Sequence, residues 1–207
     1  MSSDTASSQS PDVSEQMQVR LDKRARIIAD GGQAYPVDLL RDHTLVQVRQ
    51  KYTDDTGELT LAPGEETTDE VTVGGRVVFV RNTGKLCFAS LQDGFTETSN
   101  GERLQIMLSK AEVGDESLAA WKSDVDLGDH VWVRGRVVVS RRGELSIMAA
   151  EWRMASKALR PLPTLHKELS EESRVRRRYA DLVVREESRQ MVRTRAVITR
   201  AVPHHLA

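Results

Sequence analysis

The sequence has few of the features that mark extracellular or membrane proteins. It holds one cysteine, Cys87, so no disulfide can form within the chain. No apolar run approaches the roughly 18 residues that a membrane span requires. Residues 1–10 lack the basic start and the apolar core of a signal peptide. We therefore expect a soluble cytoplasmic protein with no membrane partner.

The sequence also has almost no net charge, because 30 basic side chains nearly balance 31 acidic ones. The two signs are unevenly distributed along the chain. Residues 1–140 carry 15 basic and 23 acidic side chains, whereas residues 141–207 carry 15 basic and 8 acidic ones. A C-terminal part with excess positive charge favours a nucleic-acid partner. With 207 residues, 39% of them hydrophobic, the chain can bury at least one core.

The most regular pattern lies between Val71 and Leu91. Apolar and polar residues alternate on both sides of Asn82-Thr83-Gly84, which predicts a β-hairpin. The pair Gly74-Gly75 inside the first strand predicts a bulge or a tight bend, as at the corner of a small barrel. Arg81, Lys85 and Phe88 then come close together. Two cations beside an aromatic ring suit stacked bases and phosphates.

Two helices are predicted before the hairpin, and residues 1–12 are predicted to be disordered. Apolar residues at helical spacing predict a helix over residues 13–30, which Gly31-Gly32 ends. Its basic side chains either pack on the following domain or contact phosphates, and the pattern leaves both readings open. A second, short helix is predicted over Leu45–Lys51 with Thr44 as its N-cap.

Three further strands and one helix are predicted after the hairpin. The strands are Arg103–Leu108, His130–Ser140 and Glu144–Met154, and the helix is Lys110–Lys122 between the first two of them. Five strands with a helix between the third and the fourth follow the order of an OB-fold, whose open face binds oligonucleotides. The predicted fold class is α+β, mainly β: an N-terminal helix, a five-stranded OB-fold barrel and a helical C-terminal link.

Several segments carry a resemblance to a known family. They are GKLCFASLQDG (84–94), DLGDHVWVRGRV (126–137), RRGELSI (141–147), ASKALRPLP (155–163) and ESRVRRRYADLVVREESRQ (172–190). Together they resemble bacterial class II lysyl-tRNA synthetases, over about residues 18–201. The resemblance implies a tail (1–12), a helix and connector (13–68), an anticodon-binding OB-fold domain (69–156), and a link with the start of a catalytic domain (157–207).

The resemblance also implies the RNA-binding residues and the partners. The positions that match the family's anticodon readers are Arg81, Phe88, Gln105 and Glu144, with Arg20, Lys23, Arg24 and Lys85 as possible contacts to the tRNA backbone. In the family, the partner is the lysine tRNA, the full-length protein is a homodimer, and aminoacylation uses ATP and magnesium. From spacing alone, other readings stay open: Phe88 as barrel core, Gln105 as a solvent-facing strand residue, and Arg81 with Glu144 as a surface ion pair.

The C-terminal residues depart from the family pattern. Val192–Ala201 resembles the start of the helix that opens the catalytic domain, but Pro203 is predicted to break this helix. The second and third class II motifs have no counterpart in the 207 residues, so we expect no catalytic residue, no metal site and no cofactor in this chain, and the dimer surface is expected to be incomplete. The sequence therefore leaves two functions open: a synthetase fragment that binds the lysine-tRNA anticodon, or a non-catalytic RNA-binding or interaction module, including a decaying duplicate.

Overall fold

A computed structural model describes residues 14–94, 102–163 and 169–206. The predicted disordered tail, residues 1–12, lies outside the described residues. The described elements are α1 (Glu15–Ala29), α2 (Leu45–Lys51), β1 (Glu66–Thr83), β2 (Leu86–Gln92), β3 (Arg103–Ser109), α3 (Lys110–Val113), α4 (Asp115–Asp124), β4 (His130–Val139), β5 (Leu145–Ser156), α5 (Glu171–Arg176), α6 (Arg178–Val184) and α7 (Glu186–Leu206). No described helix combines the length and the apolar character that crossing a membrane would need.

The five strands close into a barrel in the order β1-β2-β3-β5-β4. All neighbouring pairs are antiparallel except β3 with β5, which run parallel. The closed order confirms the predicted OB-fold barrel, with the helix between the third and fourth strands and mainly β structure. The barrel interior is filled by alternate residues of all five strands, among them Val73, Leu91, Ile106, Val133 and Ile147, which are fully buried.

The helix predicted over Lys110–Lys122 is two helices. Gly114 adopts a φ of 83° and ends α3, and α4 begins at the next residue. This left-handed conformation is one that glycine adopts without steric cost, so the helical pattern is interrupted at that residue. Trp121 of α4 is buried, and its ring meets Trp152 of β5 edge to face at a centroid distance of 5.1 Å. The helix α4 thereby adds its apolar face to the barrel core.

The bulge in β1 lies beyond the glycine pair that was predicted to cause it. The pairing of β1 with β2 shifts by one residue between Val77 and Phe79. Gly75 instead allows two strands to approach closely, because a Cβ there would lie 3.0 Å from the Cβ of Leu91. Gly75 therefore accommodates packing, whereas a Cβ at Gly74 would lie 3.7 Å from the carbonyl oxygen of Val131, an ordinary contact. The extra residue of the bulge is Val78.

The helix α1 is held against the barrel by its basic side chains. Arg20 is 8% exposed and donates hydrogen bonds to the carbonyls of Leu127 and Ala158, each at 2.9 Å. Lys23 pairs with Asp126 at 2.7 Å. Of the two readings that the sequence left open for this helix, these contacts support packing on the barrel.

A buried lysine joins the end of β5 to the start of β4. The ammonium of Lys157 lies 2.6 Å from a carboxylate oxygen of Asp126 and 2.7 Å from one of Asp129, and it also donates to the carbonyl of Asp124. Lys157 is 2% exposed and Asp129 is fully buried. A buried charge must be paired and hydrogen bonded to be tolerated, and this cluster meets that requirement.

The C-terminal helix α7 runs to Leu206, so the prediction that Pro203 breaks it is wrong. A proline removes one N–H donor from the helix, and here that position falls in the last turn of α7, close to the end of the helix. The first turn of α7 is anchored through Ser188, which donates to the buried Asp181 of α6 at 2.6 Å. Farther along, Met191, Val197 and Ile198 are exposed.

Candidate nucleic-acid interface

Four strands present their outward side chains in two rows across the barrel. In the strand register, Phe79 of β1 is opposite Ser90 of β2, which is opposite Gln105 of β3, which is opposite Ser146 of β5; we call these four residues the upper row. The lower row lies two residues away on each strand and consists of Arg81, Phe88, Met107 and Met148. Three of the four predicted anticodon readers, Arg81, Phe88 and Gln105, therefore lie on one surface.

The bulge in β1 decides which side chains of that strand face outward. Before it, Val73 and Val77 are buried and their neighbours face out; after it, Val78 is buried and Phe79 and Arg81 are exposed. A shift of one residue moves every following side chain to the opposite face of a strand. Without the extra residue, Phe79 and Arg81 would point into the core.

Arg81 and Phe88 form a contact across the β1–β2 pair. The guanidinium carbon of Arg81 lies 4.8 Å from the centre of the Phe88 ring, within the range of a cation–π interaction. Phe88 is half-buried, so it is neither a core side chain nor a fully exposed one. An aromatic ring beside a cation provides both a stacking surface and a charge for a nucleotide.

Gln105 is fixed by its neighbour in the upper row. Its side-chain nitrogen Nε2 donates to Ser146 Oγ at 2.8 Å, and Ser146 Oγ donates in turn to the carbonyl of Glu144 at 2.9 Å. Ser146 is fully buried and Gln105 is half-buried. Gln105 therefore faces outward, as one interpretation of the sequence had it, but its side chain is held by a hydrogen bond to Ser146.

Glu144 lies at the turn before β5, and its ion-pair partner differs from the one considered from the sequence. Its carboxylate is 3.9 Å from the guanidinium of Arg49, on α2. Arg49 also pairs with Glu102 at 2.6 Å. The alternative in which Glu144 forms a surface ion pair with Arg81 is therefore wrong. The cation beside Glu144 is Arg49 of α2, and Arg81 instead contacts the Phe88 ring.

The four predicted backbone contacts are placed very differently. Arg20 is buried, and its guanidinium donates hydrogen bonds to two backbone carbonyls. It is therefore not accessible to a phosphate of the RNA. Lys23 is occupied by Asp126, and Arg24 lies over the Tyr35 ring at 5.6 Å. Lys85 is exposed at the β1–β2 turn, below the lower row. Of these four, Lys85 is the residue that combines free charge with proximity to the rows.

The sequence analysis missed several residues that the structure brings to this surface. Phe79 is 55% exposed beside Arg81. Arg141 and Arg142 are exposed in the turn before Glu144, and Lys122 of α4 donates to the carbonyl of Gly84 in the β1–β2 turn. The run of four apolar residues from Val77 to Val80 breaks the alternation of the strand, and this break was a usable signal for an exposed Phe79. Nothing in the sequence pattern distinguishes Ser146 from other strand serines.

A separate cavity of about 400 Å³ lies where β2 ends. Its lining includes Arg41, Arg76, Asp93, His130 and Leu182. Burial, together with the charge of Arg76, lowers the pKa of His130 to about 4, and burial raises the pKa of Asp93. Asp93 also accepts a hydrogen bond from the backbone N–H of Leu45 at the start of α2, which gives this carboxylate a structural role.

No metal-binding group is found in the described part of the chain. No three His, Cys, Asp or Glu side chains there are arranged so that they could hold an ion. The side chains of the two rows offer a stacking ring, hydrogen-bonding groups and a positive charge.

Comparisons with known proteins agree with this geometry. The family model named for the tRNA anticodon, and described as an OB-fold nucleic acid binding domain, matches residues 71–155. The chain is 59% identical over 191 residues to the lysine–tRNA ligase of Kineococcus radiotolerans and 54% identical over 191 residues to that of Mycolicibacterium gilvum. Each match covers 92% of this chain but 36% of the relative's length.

A relative with a different name is also similar. The lysylphosphatidylglycerol biosynthesis bifunctional protein LysX of Rhodococcus jostii is 36% identical over 189 residues, which are 91% of this chain and 15% of that protein. The matched segment is thus about a third of the length of the two ligases and a smaller share of this longer protein.

Proposed function

Because residues 71–155 belong to the OB-fold nucleic-acid-binding domains of the tRNA anticodon family, we propose that this chain binds the anticodon loop of a lysine tRNA on the two rows. The observation that carries the proposal is the grouping of Arg81, Phe88 and Gln105 on one surface. Single-stranded RNA is read by stacking its unpaired bases on aromatic rings and by hydrogen bonding their exposed edges.

Each row has its own part in this proposal. Phe88 in the lower row stacks on the central base of the anticodon, and Arg81 donates to that base or to a neighbouring phosphate. Gln105 in the upper row bonds the edge of the same base, which gives sequence preference. Glu144, at the end of the upper row, accepts from a donor of an adjacent base. Phe79 provides a second exposed ring on the same surface, and stacking is tolerant of base identity.

The backbone of the loop needs cations at the edge of the surface. Lys85, which is exposed below the lower row, takes this role, and Arg141 and Arg142 at the turn before β5 supply charge beside the upper row. Contacts of this type position the RNA without reading its sequence.

The test is a titration of lysine-tRNA anticodon stem-loops that differ only in the central base, uridine or cytidine, at fixed salt. We expect the wild-type chain to bind both and to prefer uridine, and Gln105→Ala to bind both about equally. Equal binding of both loops by the wild-type chain would refute anticodon reading and would favour a general RNA-binding or interaction module.

A longer protein that contains this segment would also have a catalytic activity. The names of the two ligases describe the joining of lysine to tRNA. We propose the same reaction, with ATP and magnesium, in the cytoplasm, with the present residues contributing tRNA binding. Stem-loop binding by the 207-residue chain should then need neither ATP nor magnesium, which titrations with and without added ATP, and with and without a chelator, would test.

Dimerisation is a further part of the same proposal. Met191, Val197 and Ile198 lie on α7 and are exposed, and a second subunit could cover this apolar surface. Sedimentation velocity over a range of concentrations measures the association state, and a chain that stays monomeric at every concentration would argue against dimerisation through these residues alone.

A further inference from the structure

The hydroxyl of Ser146 has one proton, and the structure shows where that proton goes. Ser146 Oγ lies 2.9 Å from the carbonyl oxygen of Glu144, which can only accept. The proton of Ser146 must therefore point to Glu144, since two oxygens at this distance without a proton between them would repel. The same carbonyl accepts from the backbone N–H of Ser140, so both of its lone pairs are used.

This proton order fixes the amide of Gln105. Because Ser146 gives its proton to Glu144, it can only accept from Gln105, and the group of Gln105 that faces Ser146 must be the NH₂. The orientation thus follows from counting protons and does not depend on telling nitrogen from oxygen. The carbonyl oxygen Oε1 of Gln105 is left on the other side of the amide.

We propose that Ser146 is a positioning residue that makes Gln105 present a hydrogen-bond acceptor to the RNA base. The proposal rests on the anticodon-binding function argued above and names the atom through which that function discriminates. Uridine has a donor, N3–H, in the middle of its Watson–Crick edge, whereas cytidine has a lone pair at the same position. An acceptor held at Gln105 therefore bonds uridine and repels the ring nitrogen of cytidine.

The burial of Ser146 stabilises this orientation of the Gln105 amide. Although Ser146 belongs to the upper row, its side chain is fully buried, so water cannot replace either of its hydrogen bonds. Turning the Gln105 amide over would leave a carbonyl oxygen against an acceptor inside the protein, which carries the cost of an unsatisfied buried polar group. Specificity by a polar group of fixed orientation is stronger than specificity by shape, because the wrong ligand leaves that group unpaired.

The experiment compares three anticodon stem-loops that carry uridine, 3-methyluridine or cytidine at the centre. The methyl group of 3-methyluridine removes the N3–H donor and leaves both carbonyls. We expect wild type to bind the uridine loop roughly three- to tenfold more tightly than the 3-methyluridine loop, the size of one net hydrogen bond. Ser146→Ala should lower affinity for uridine to about that for 3-methyluridine and leave 3-methyluridine binding unchanged.

A double-mutant cycle tests whether Ser146 acts through Gln105. In a Gln105→Ala background, Ser146→Ala should cause no further loss, because the group that it orients is gone. Binding of the 3-methyluridine loop also serves as the control for folding, since a damaged barrel would lose affinity for every loop. Ser146→Cys, which retains a small group with a weak acceptor, should fall between wild type and alanine.

A second readout needs no RNA. The side-chain amide of Gln105 should exchange slowly with solvent in wild type and quickly in Ser146→Ala, as seen in amide-proton NMR spectra. The positioning role is overturned if Ser146→Ala keeps the preference for uridine over 3-methyluridine, or if the exchange of the Gln105 amide does not change. If wild type binds none of the loops, the anticodon function itself fails, and the positioning proposal fails with it.

Discussion

The guanidinium of Arg81 covers the ring of Phe88, with 4.8 Å between the guanidinium carbon and the ring centre. Strand pairing sets this contact, because the two residues are direct partners in the antiparallel register of β1 and β2. In the protein without RNA, the cation thus occupies the surface on which a base would stack. In the proposed complex, a base that stacks on this face of the ring would take the place of Arg81, and the guanidinium would then be available to the base edge or to a phosphate.

Removal of the Phe88 ring should weaken binding for every base. We expect Phe88→Ala to cost about 1–3 kcal/mol of binding free energy for both the uridine and the cytidine stem-loops, as measured by titration. Phe88→Tyr keeps a ring and is the matched control, which should bind nearly as wild type. If Phe88→Ala binds like wild type, Phe88 does not stack on the RNA.

Phe79 should contribute as a second stacking ring. Because it is 55% exposed, Phe79→Ala removes little packing, and we expect a small change in stability but a loss of roughly 1 kcal/mol or more in stem-loop binding. Leu40→Ala is the control, since Leu40 is also exposed but belongs to neither row. Equal binding by the two variants and wild type would show that Phe79 is an ordinary exposed side chain.

The sequence was sufficient where structure depends on near neighbours. The helix over Leu45–Lys51 was predicted with its bounds and its N-cap, because Thr44 and Gln47 form a capping box that can be read within four residues. The hairpin, the strands and the grouping of Arg81 with Phe88 follow in the same way from alternation and turn residues. The family resemblance supplied Gln105 and Glu144, which no local pattern singles out.

The remaining features depend on contacts between residues far apart in the chain. Arg20 donates hydrogen bonds to carbonyls more than 100 residues away, and the helical pattern of α1 does not predict these contacts. The pairing of Glu144 with Arg49 likewise has no local signal. The break in alternation at Val77-Val78 is visible in the sequence, but the position of the bulge at Val78 depends on the register with the partner strand. The orientation of Gln105 depends on a proton of Ser146, which only the three-dimensional arrangement can assign.

The buried cluster around Lys157 should dominate the stability of the junction between barrel and link. Replacing Lys157 by methionine leaves the buried carboxylate of Asp129 without its cation, and we expect a loss of about 3–5 kcal/mol in the free energy of unfolding. Lys23→Ala is the matched control and should cost less, because Asp126, the partner of Lys23, still forms its ion pair with Lys157. Urea unfolding of the two variants measures both, and equal losses would contradict this ranking.

His130 should make the protein less stable in mild acid. Burial, and then the charge of Arg76, lower its pKa from 6.5 to about 4 in the folded state. Between pH 6.5 and about 4 the unfolded chain therefore binds a proton that the folded chain does not, so stability is fully present above pH 6.5 and falls as the pH falls through this window. His130→Gln should show a smaller difference in urea midpoint between pH 7 and pH 5 than wild type, and an unchanged difference would exclude His130 as the source.

Salt dependence should separate the cations that contact RNA from those that hold the protein together. Each phosphate neutralised adds about 0.7 to the slope of log affinity against log salt for single-stranded RNA, because bound counterions are released. Lys85 is exposed at the β1–β2 turn, whereas Lys23 already pairs with Asp126 at 2.7 Å. Lys85→Ala should therefore lower the slope by about 0.7, and Lys23→Ala should leave it unchanged. Titrations at four or more salt concentrations give both slopes. A reduced slope for Lys23→Ala would mean that the RNA also runs along α1, and an unchanged slope for Lys85→Ala would mean that the loop backbone does not pass the β1–β2 turn.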